Sequence, residues 1–413
     1  MRINKIILAA VVATIAGTAS VQAQMTTSPY SKFGFGLLGD NATSAQRQMG
    51  GVGYAMSSGR QINVMNPASY SRIDSLTFLF DMGLDVSFIK SDENGTKRSQ
   101  KGGGLDYLTM QFPISKRIGA SVGLLPYSSV GYSFGSEIKN GTNSHQGQGG
   151  INQAYVGVSG NIYKGLSVGV NFSYLFGTTV NDIYAYTSTG STALFEQVVQ
   201  VRDWHVLAGI QYSIPLDRNN SIGLGLVYSP GKDLMGRARV IKYDVTANET
   251  PDTVQTLRLR NNFSLPDTWG GGISFKHGNR WFVEADFTYQ PWSKAKFAKM
   301  SDFPATRYAD RWKVGAGMQW IPKDRGGYFE VVSYRAGVFY NRDYMMIGDN
   351  HVKEYGAGLG FGFPTLSNKT VINLGFEYRH RQATPNPLLK ENYFNITLGI
   401  NFNDLWFFQR KIE

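Results

Sequence analysis

The chain has 413 residues, 41 Lys+Arg against 30 Asp+Glu for a formal charge of +11, and no cysteine. The missing cysteines exclude a disulfide framework, a thiol nucleophile, a cysteine metal site and a lipid-modified cysteine. The basic excess is moderate and scattered, with no basic run, so no nucleic-acid partner is expected.

Met1-Arg2-Ile3-Asn4-Lys5 is followed by apolar or small residues from Ile6 to Ala19 and by Val21-Gln22-Ala23. That order of charged, apolar and small residues is a secretory signal, expected over 1–23, and it sends the mature protein out of the cytoplasm. No later stretch of roughly 18 apolar residues offers a transmembrane helix. The high content of Gly (48), Tyr (23) and Phe (25) suits an all-β chain.

Residues 24–74 do not alternate. They hold "SPYSKFGFGLLGD", "RQMGGVGYAMSSGR" and "NVMNPASYS", apolar pieces too brief for a membrane strand. Gly50, Gly51 and Gly53 lack the lysine and the strand-turn-helix setting of a phosphate loop, so they are read as flexibility. Asn66, Pro67 and Ala68 form a proline-broken loop just ahead of the first strong strand.

From about Asp74 onward the sequence alternates with period two, as in Phe394, Ile396, Leu398, Ile400 and Phe402 against Asn395, Thr397, Gly399 and Asn401. Strands are expected near 75–90, 103–113, 117–130, 150–162, 165–178, 196–214, 220–245, 254–276, 280–292, 306–321, 327–341, 350–363, 369–381 and 391–403. This is about fourteen, an even count. A soluble sandwich would also alternate, but the connections argue for a membrane barrel. Every second junction is tight ("ISKR", "YKG", "KHGNR"), whereas "SDENGTKRSQKGG" and "GSEIKNGTNSHQGQGG" read as long polar loops on the other rim. Tyr163, Tyr212, Trp281, Trp320 and Tyr328 fall at the short-turn ends, and Tyr174, Tyr228, Tyr289, Tyr340 and Tyr378 toward the long-loop ends, forming two interfacial girdles. In hydrocarbon the sheet has to close, because each unpaired backbone group costs several kcal/mol. The fold class is therefore all-β: a ~14-stranded antiparallel transmembrane barrel over 75–404 in the outer membrane, with an N-terminal plug at 24–74 and a periplasmic tail at 405–413.

The order of signal, "MGGVGYA", "NPAS" and first barrel strand, together with Leu265-Pro266 in "FSLPDTWGGGISF", resembles the FadL/TodX family of outer-membrane channels for long-chain fatty acids and aromatic hydrocarbons. The resemblance implies that the N-terminal segment is a hatch inside the barrel, with Asn66, Pro67 and Ala68 at the plug-to-wall junction. It also implies that substrates leave sideways through a gap made by a kink in the third strand. Pro126 lies in the third span, and proline cannot donate to a ladder. It marks either a bulge or gap in the wall, or the outer rim where pairing ends.

With the apolar parity on lipid, the lumen receives Arg258, Arg260, Glu284, Asp286, Arg311, Lys313, Arg335, Glu377 and Arg379. These form either a salt-bridge ladder bracing barrel and plug or a site for an anionic head group. The five histidines (His145, His205, His277, His351, His380) show no metal-ligand spacing, so no metal or other cofactor is expected. His205 with a serine is the one conceivable catalytic pair, but no serine is marked out, and an enzyme is not expected.

Two functions remain open. One is passive uptake of hydrophobic or amphipathic small molecules such as fatty acids, with membrane lipids around the wall. The other is a non-transporting subunit of a larger outer-membrane secretion, protein-insertion or nutrient-capture complex. The charged lumen, and Trp406, Phe407 and Phe408 in the tail, keep the second alive.

Overall fold

The computed structural model describes residues 27–138, 141–187, 192–245, 252–260, 263–297, 307–365 and 370–405. The expected signal peptide, and Trp406, Phe407 and Phe408, lie outside them. In the N-terminal segment, β1 (Leu37–Leu38) and 3-10 turns at Pro29–Lys32 and Pro67–Arg72 are joined by one short helix, Ser44–Arg47. The wall begins with β2 (Thr77–Glu93), β3 (Thr96–Pro113), β4 (Ile118–Ile138), β5 (Gly141–Tyr163), β6 (Leu166–Thr187), β7 (Thr192–Pro215) and β8 (Asn220–Ser229). Four short or excursive strands follow: β9 (Lys232–Leu234), the hairpin of β10 (Gly236–Val245) with β11 (Asp252–Arg260), and β12 (Phe263–Leu265). The wall resumes with β13 (Thr268–His277) and β14 (Trp281–Gln290), and after β15 (Arg307–Tyr308) continues through β16 (Arg311–Trp320), β17 (Ser333–Ile347), β18 (Asn350–Pro364), β19 (Thr370–Thr384) and β20 (Lys390–Leu405).

Each wall strand pairs antiparallel with its neighbour, β13 taking β8 and β16 taking β14 across the excursions. β20 returns to β2 in register from Thr77↔Leu405 to Asp92↔Lys390. The fourteen-stranded antiparallel sheet is thus closed, as an outer-membrane barrel must be to leave no edge facing hydrocarbon. Leu226, Leu359 and Val156 stand exposed on the outer parity at 61–63 %, while their opposites Gln211, Glu284, Asn373 and Thr397 are buried inside. Such an exposed apolar belt is stable only against lipid.

Turns at 114–117 and 278–280 lie on the rim that carries Thr77 and Leu405, the periplasmic rim. Exposed Tyr163 and Tyr212 mark that interface, and exposed Tyr174, Tyr355 and Tyr378 mark the other. Tyr228 and Tyr289 donate their hydroxyls to the loop carboxylates of Asp267 (2.9 Å) and Asp310 (2.7 Å), polar tips on apolar rings as an interface favours.

Two expectations are corrected. The polar runs after Ser91 and Gly135 are not long loops: β2 and β3 continue to a tight turn at Asn94-Gly95, both at positive φ, and β4 and β5 extend likewise to Ile138 and Gly141. Above the bilayer both sheet faces meet water, so the apolar parity that identifies a strand disappears. The single spans 220–245 and 254–276 are each broken. Pro230-Gly231 ends β8 and Leu265-Pro266 precedes β13, and proline cannot continue a ladder. Between these breaks the β10–β11 hairpin leaves the wall and pairs with the outer half of β7, Gly236↔Val201 through Val245↔Thr192. Similarly, β17 starts at Ser333 rather than 327, after a 3-10 turn at Tyr328–Glu330.

Candidate functional site: the filled lumen and the split wall

The N-terminal segment lies against the inward faces of strands all round the barrel, and the sequence shows how it is seated. Asn66 caps the 3-10 turn Pro67–Arg72: its side-chain oxygen accepts from the Ala68 N–H at 3.1 Å, and Pro67 at the first position has no N–H to satisfy. The same amide donates to Tyr54 O at 2.7 Å and to Ile210 O of β7 at 3.2 Å. Asn66, Pro67 and Ala68 are all buried, and a Cβ on Gly169 or Gly209 of the wall would run into them.

Gly50 and Gly51 adopt positive φ (76° and 71°), and a Cβ on Gly50 would lie 2.5 Å from Val338 O in β17. These glycines thus serve a tight turn pressed onto the wall rather than flexibility. Immediately after it, two wall carboxylates hold four consecutive amides. Asp286 accepts from Gly53 N at 2.7 Å and Tyr54 N at 2.9 Å, and Glu284 accepts from Ala55 N at 2.5 Å and Met56 N at 3.1 Å.

Asp40 meets Lys313 at 2.8 Å and Arg311 at 3.3 Å. Burial works to raise the Asp40 carboxyl, but Lys313, Arg311 and Arg379 outweigh it and hold it well below the usual carboxylate range. Arg335 donates to Gln48 of the segment at 2.9 Å and to Asn373 at 2.7 Å. Arg379 is bonded to Glu377 and lies 3.7 Å from Glu354, which also takes Arg381 at 3.0 Å. Arg47 reaches Asp106 at 2.6 Å. Seven of the nine charges assigned to the lumen face it, and five of the seven (Glu284, Asp286, Arg311, Lys313 and Arg335) bond the N-terminal segment directly.

Arg258 and Arg260 do not join them. Both sit on β11, which among the described residues pairs with β10 and not with a wall strand, and Arg258 is exposed; the Arg260 side chain lies outside the described residues. Alternation there does not point into the lumen, because the strand carrying them belongs to the hairpin on the outer half of β7.

Around Pro126 the wall is split. β3 and β4 pair only from Leu108↔Leu124 to Pro113↔Gly119. Beyond that β3 pairs with β2 alone, and β4 with β5 through a register shift between Pro126 and Ser128. Pro126 thus lies at an irregularity within the strand rather than at its end. The edge that β4 loses is taken by β1 of the N-terminal segment, Leu37↔Ser129 and Leu38↔Ser128. A cavity of about 120 Å³ behind the split is lined by Asp40, Arg47, Asp106, Glu354, Arg379 and Arg381. Toward the outer end, Tyr30, Phe35, Phe263, Trp292 and Tyr344 close into one apolar cluster, all at 0–1 % exposure.

Sequence reading missed Asp40, Arg47 and Gln48, single polar residues in a non-alternating segment whose wall partners lie 273, 59 and 287 positions away. It also left His205 without a serine. Ser229 Oγ lies 2.7 Å from His205 Nε2 but also bonds Val206 O at 2.6 Å, and among the described residues no carboxylate is bonded to the other ring nitrogen. The pair ties β8 to β7 and lacks the orienting acid of a triad.

The fold is that of the FadL-type channels. The Pseudomonas putida toluene transporter TodX superposes with a TM-score of 0.61 at 16% identity over 90% of this chain and 99% of that one. A Pseudomonas aeruginosa FadL homologue gives 0.62 at 12% over 89% and 99%. The Ralstonia pickettii toluene transporter TbuX gives 0.59 at 13% over 88% and 98%. No curated protein sequence matches the chain. The family model BamG matches residues 2–413, and the chain belongs to the BamG family.

Proposed function

We propose that this protein is a non-transporting barrel subunit of a larger outer-membrane complex. The observation that carries the reading is the fixed lumen. Asp286 and Glu284 hold four successive backbone amides of the plug, and Asp40, Arg47 and Gln48 are tied to Lys313, Asp106 and Arg335 on other strands. A route for hydrophobic molecules needs a pocket lined mainly by apolar side chains. Here the apolar cluster at the outer end is filled by the chain's own Tyr30 and Phe35, and the cavity behind the wall split sets Asp40, Arg47, Asp106, Glu354, Arg379 and Arg381 beside Leu37, Leu38 and Pro126, so its lining is not mainly apolar. The test is purification of the native protein in mild detergent: a stoichiometric protein partner is expected, and a lone barrel carrying only lipid-like molecules overturns the reading.

One observation favours passive uptake of a hydrophobic or amphipathic molecule, such as a fatty acid: the separation of β3 from β4 beyond Leu108 and Leu124, next to Pro126. TodX and TbuX, which share the fold, are toluene transporters. Saturable uptake by the purified protein in vesicles would support that reading.

A further inference from the structure

The arginines displaced from the lumen have a place of their own. On β7, alternation puts Val199, Val201 and Asp203 inward and buried, and Arg202 and Trp204 outward and exposed. β10 continues the same sheet, with Arg237 beside Gln200 and Arg239 beside Val198, so both share the outward parity. Ala238 between them is buried in the apolar cluster, which fixes the direction. Across the hairpin, Arg258 stands directly opposite Arg239, and position 260, also arginine, opposite Arg237.

Like charges directly opposite on one sheet face destabilise the pair. Glu196 approaches Arg239 only to 3.9 Å, with the guanidinium exposed and the carboxylate half-buried. Glu196 and its cross-strand neighbour Asp182 are outnumbered by Arg202, Arg237, Arg239 and Arg258, so a net positive face remains. A groove of about 540 Å³ runs over this face, lined by Thr178, Gln200 and the arginines Arg237, Arg239 and Arg258, with the buried Val198 and Ala238 at its floor.

The height of the face identifies its ligand. Trp204, with the Phe172 ring stacked at 6.2 Å and the exposed Tyr174 beside it, belongs to the outer aromatic girdle. Arg202 is two residues beyond Trp204 along β7, and the β7 partners of Arg237 and Arg239 are four and six residues beyond it. At ~3.4 Å per residue and a strand tilt of ~40°, the arginines rise from about 5 to about 15 Å above the girdle, through the head-group layer. We propose that the outward face of the β10–β11 hairpin binds phosphate groups of outer-leaflet glycolipids. Arg237, Arg239 and Arg258 grip phosphate oxygens through their planar forks, and the ligand relieves the cross-strand repulsion that the hairpin carries without it. Lipid of this kind lies against the wall at that height, and the arginines face it rather than the lumen. The inference does not depend on whether the barrel transports.

The test uses the full chain in nanodiscs of phosphatidylethanolamine doped with bis-phosphorylated lipid A or its dephosphorylated form, with retained lipid A counted by native mass spectrometry. The wild type is expected to retain the phosphorylated form, and R237Q/R239Q/R258Q to bind it roughly a hundredfold more weakly, about fivefold per arginine. Equal retention of the two lipid forms by the wild type overturns the proposal and needs no variant to fold. Equal retention by wild type and the triple variant, with heat-modifiable gel mobility intact, overturns it too. Inorganic pyrophosphate that binds as tightly as lipid A would assign the site to a soluble phosphate, and loss of a co-purifying acidic protein with lipid retention unchanged would assign it to a protein; either result also overturns it.

Discussion

Asp286 on the barrel wall and Gly53 in the N-terminal segment, 233 positions apart, are joined by a 2.7 Å hydrogen bond from the Gly53 N–H to the Asp286 carboxylate. The Tyr54 N–H reaches the same oxygen at 2.9 Å. Asp286→Ala leaves two buried N–H groups without an acceptor, at a cost of about 1–3 kcal/mol for each group. Asp286→Asn keeps an oxygen and costs less. The expected outcome is a barrel that still shows heat-modifiable mobility while its N-terminal segment becomes protease-sensitive, in the order Ala above Asn above wild type. Equal protection in all three would remove Asp286 as an anchor.

The ion pairs of Asp40 with Lys313 and Arg311 give a pH dependence of known sign. A carboxyl held below its ordinary value of 3.8 contributes stability that is fully present above that pH and is lost as pH falls toward the depressed folded value. Protection of the segment is therefore expected to persist from neutral pH to about pH 4 and to fall below it. Asp40→Asn should remove this component, so the wild-type-minus-variant difference is flat above pH 4 and shrinks below it. Protease accessibility measured from pH 7 to pH 3 checks this, and a difference that grows on acidification would contradict the assigned pairs.

The barrel was legible because closure in lipid imposes one rule on every strand. Apolar residues such as Leu226 and Leu359 must face out, and each turn must return the chain, so period two and connection length suffice. The site was legible only in part. Glu284, Asp286, Arg311 and Lys313 were found by parity, but parity does not name partners, and Asp40 lies outside any periodic run. Arg258 and Arg260 show the converse: their alternation was real, but pairing with β10 took them off the wall, and pairing is not written in the local sequence. The wall glycines were read only as members of the polar parity. Their purpose depends on a segment far earlier in the chain, as far as from Gly399 back to Ser44.

Gly225 on β8 makes that purpose testable. A Cβ there would run into the Tyr54 carbonyl, on the inward face where the segment lies flat against the strand. Gly225→Ala is expected to cost about 1–3 kcal/mol through overpacking and to loosen the segment near Tyr54. Gly271→Ala, whose Cβ would make ordinary contact with Leu226 at 3.4 Å, serves as the control. Cross-linking between cysteines placed in the segment and the wall, in this cysteine-free chain, reads the loosening directly. Cross-linking unchanged in Gly225→Ala would mean that the segment shifts without penalty.

Pro126 discriminates between the two functional readings. It stands at the register shift where β4 has already parted from β3, and Gly39 of the N-terminal segment donates its N–H to Tyr127 O at 2.9 Å across that edge. Pro126→Thr restores a backbone donor at the irregularity and favours regular pairing. If the split is a lateral exit, uptake of a fluorescent fatty acid into vesicles should exceed that of protein-free vesicles and fall several-fold in the variant. If the edge is sealed by β1 and the lumen is fixed, as proposed, wild type and variant alike should match protein-free vesicles. Stripping the lumen anchors with Asp286→Ala in the same assay separates a closed channel from a barrel with no path: uptake that appears only on loosening the segment would make the plug a gate, and its continued absence is the result expected for a structural subunit.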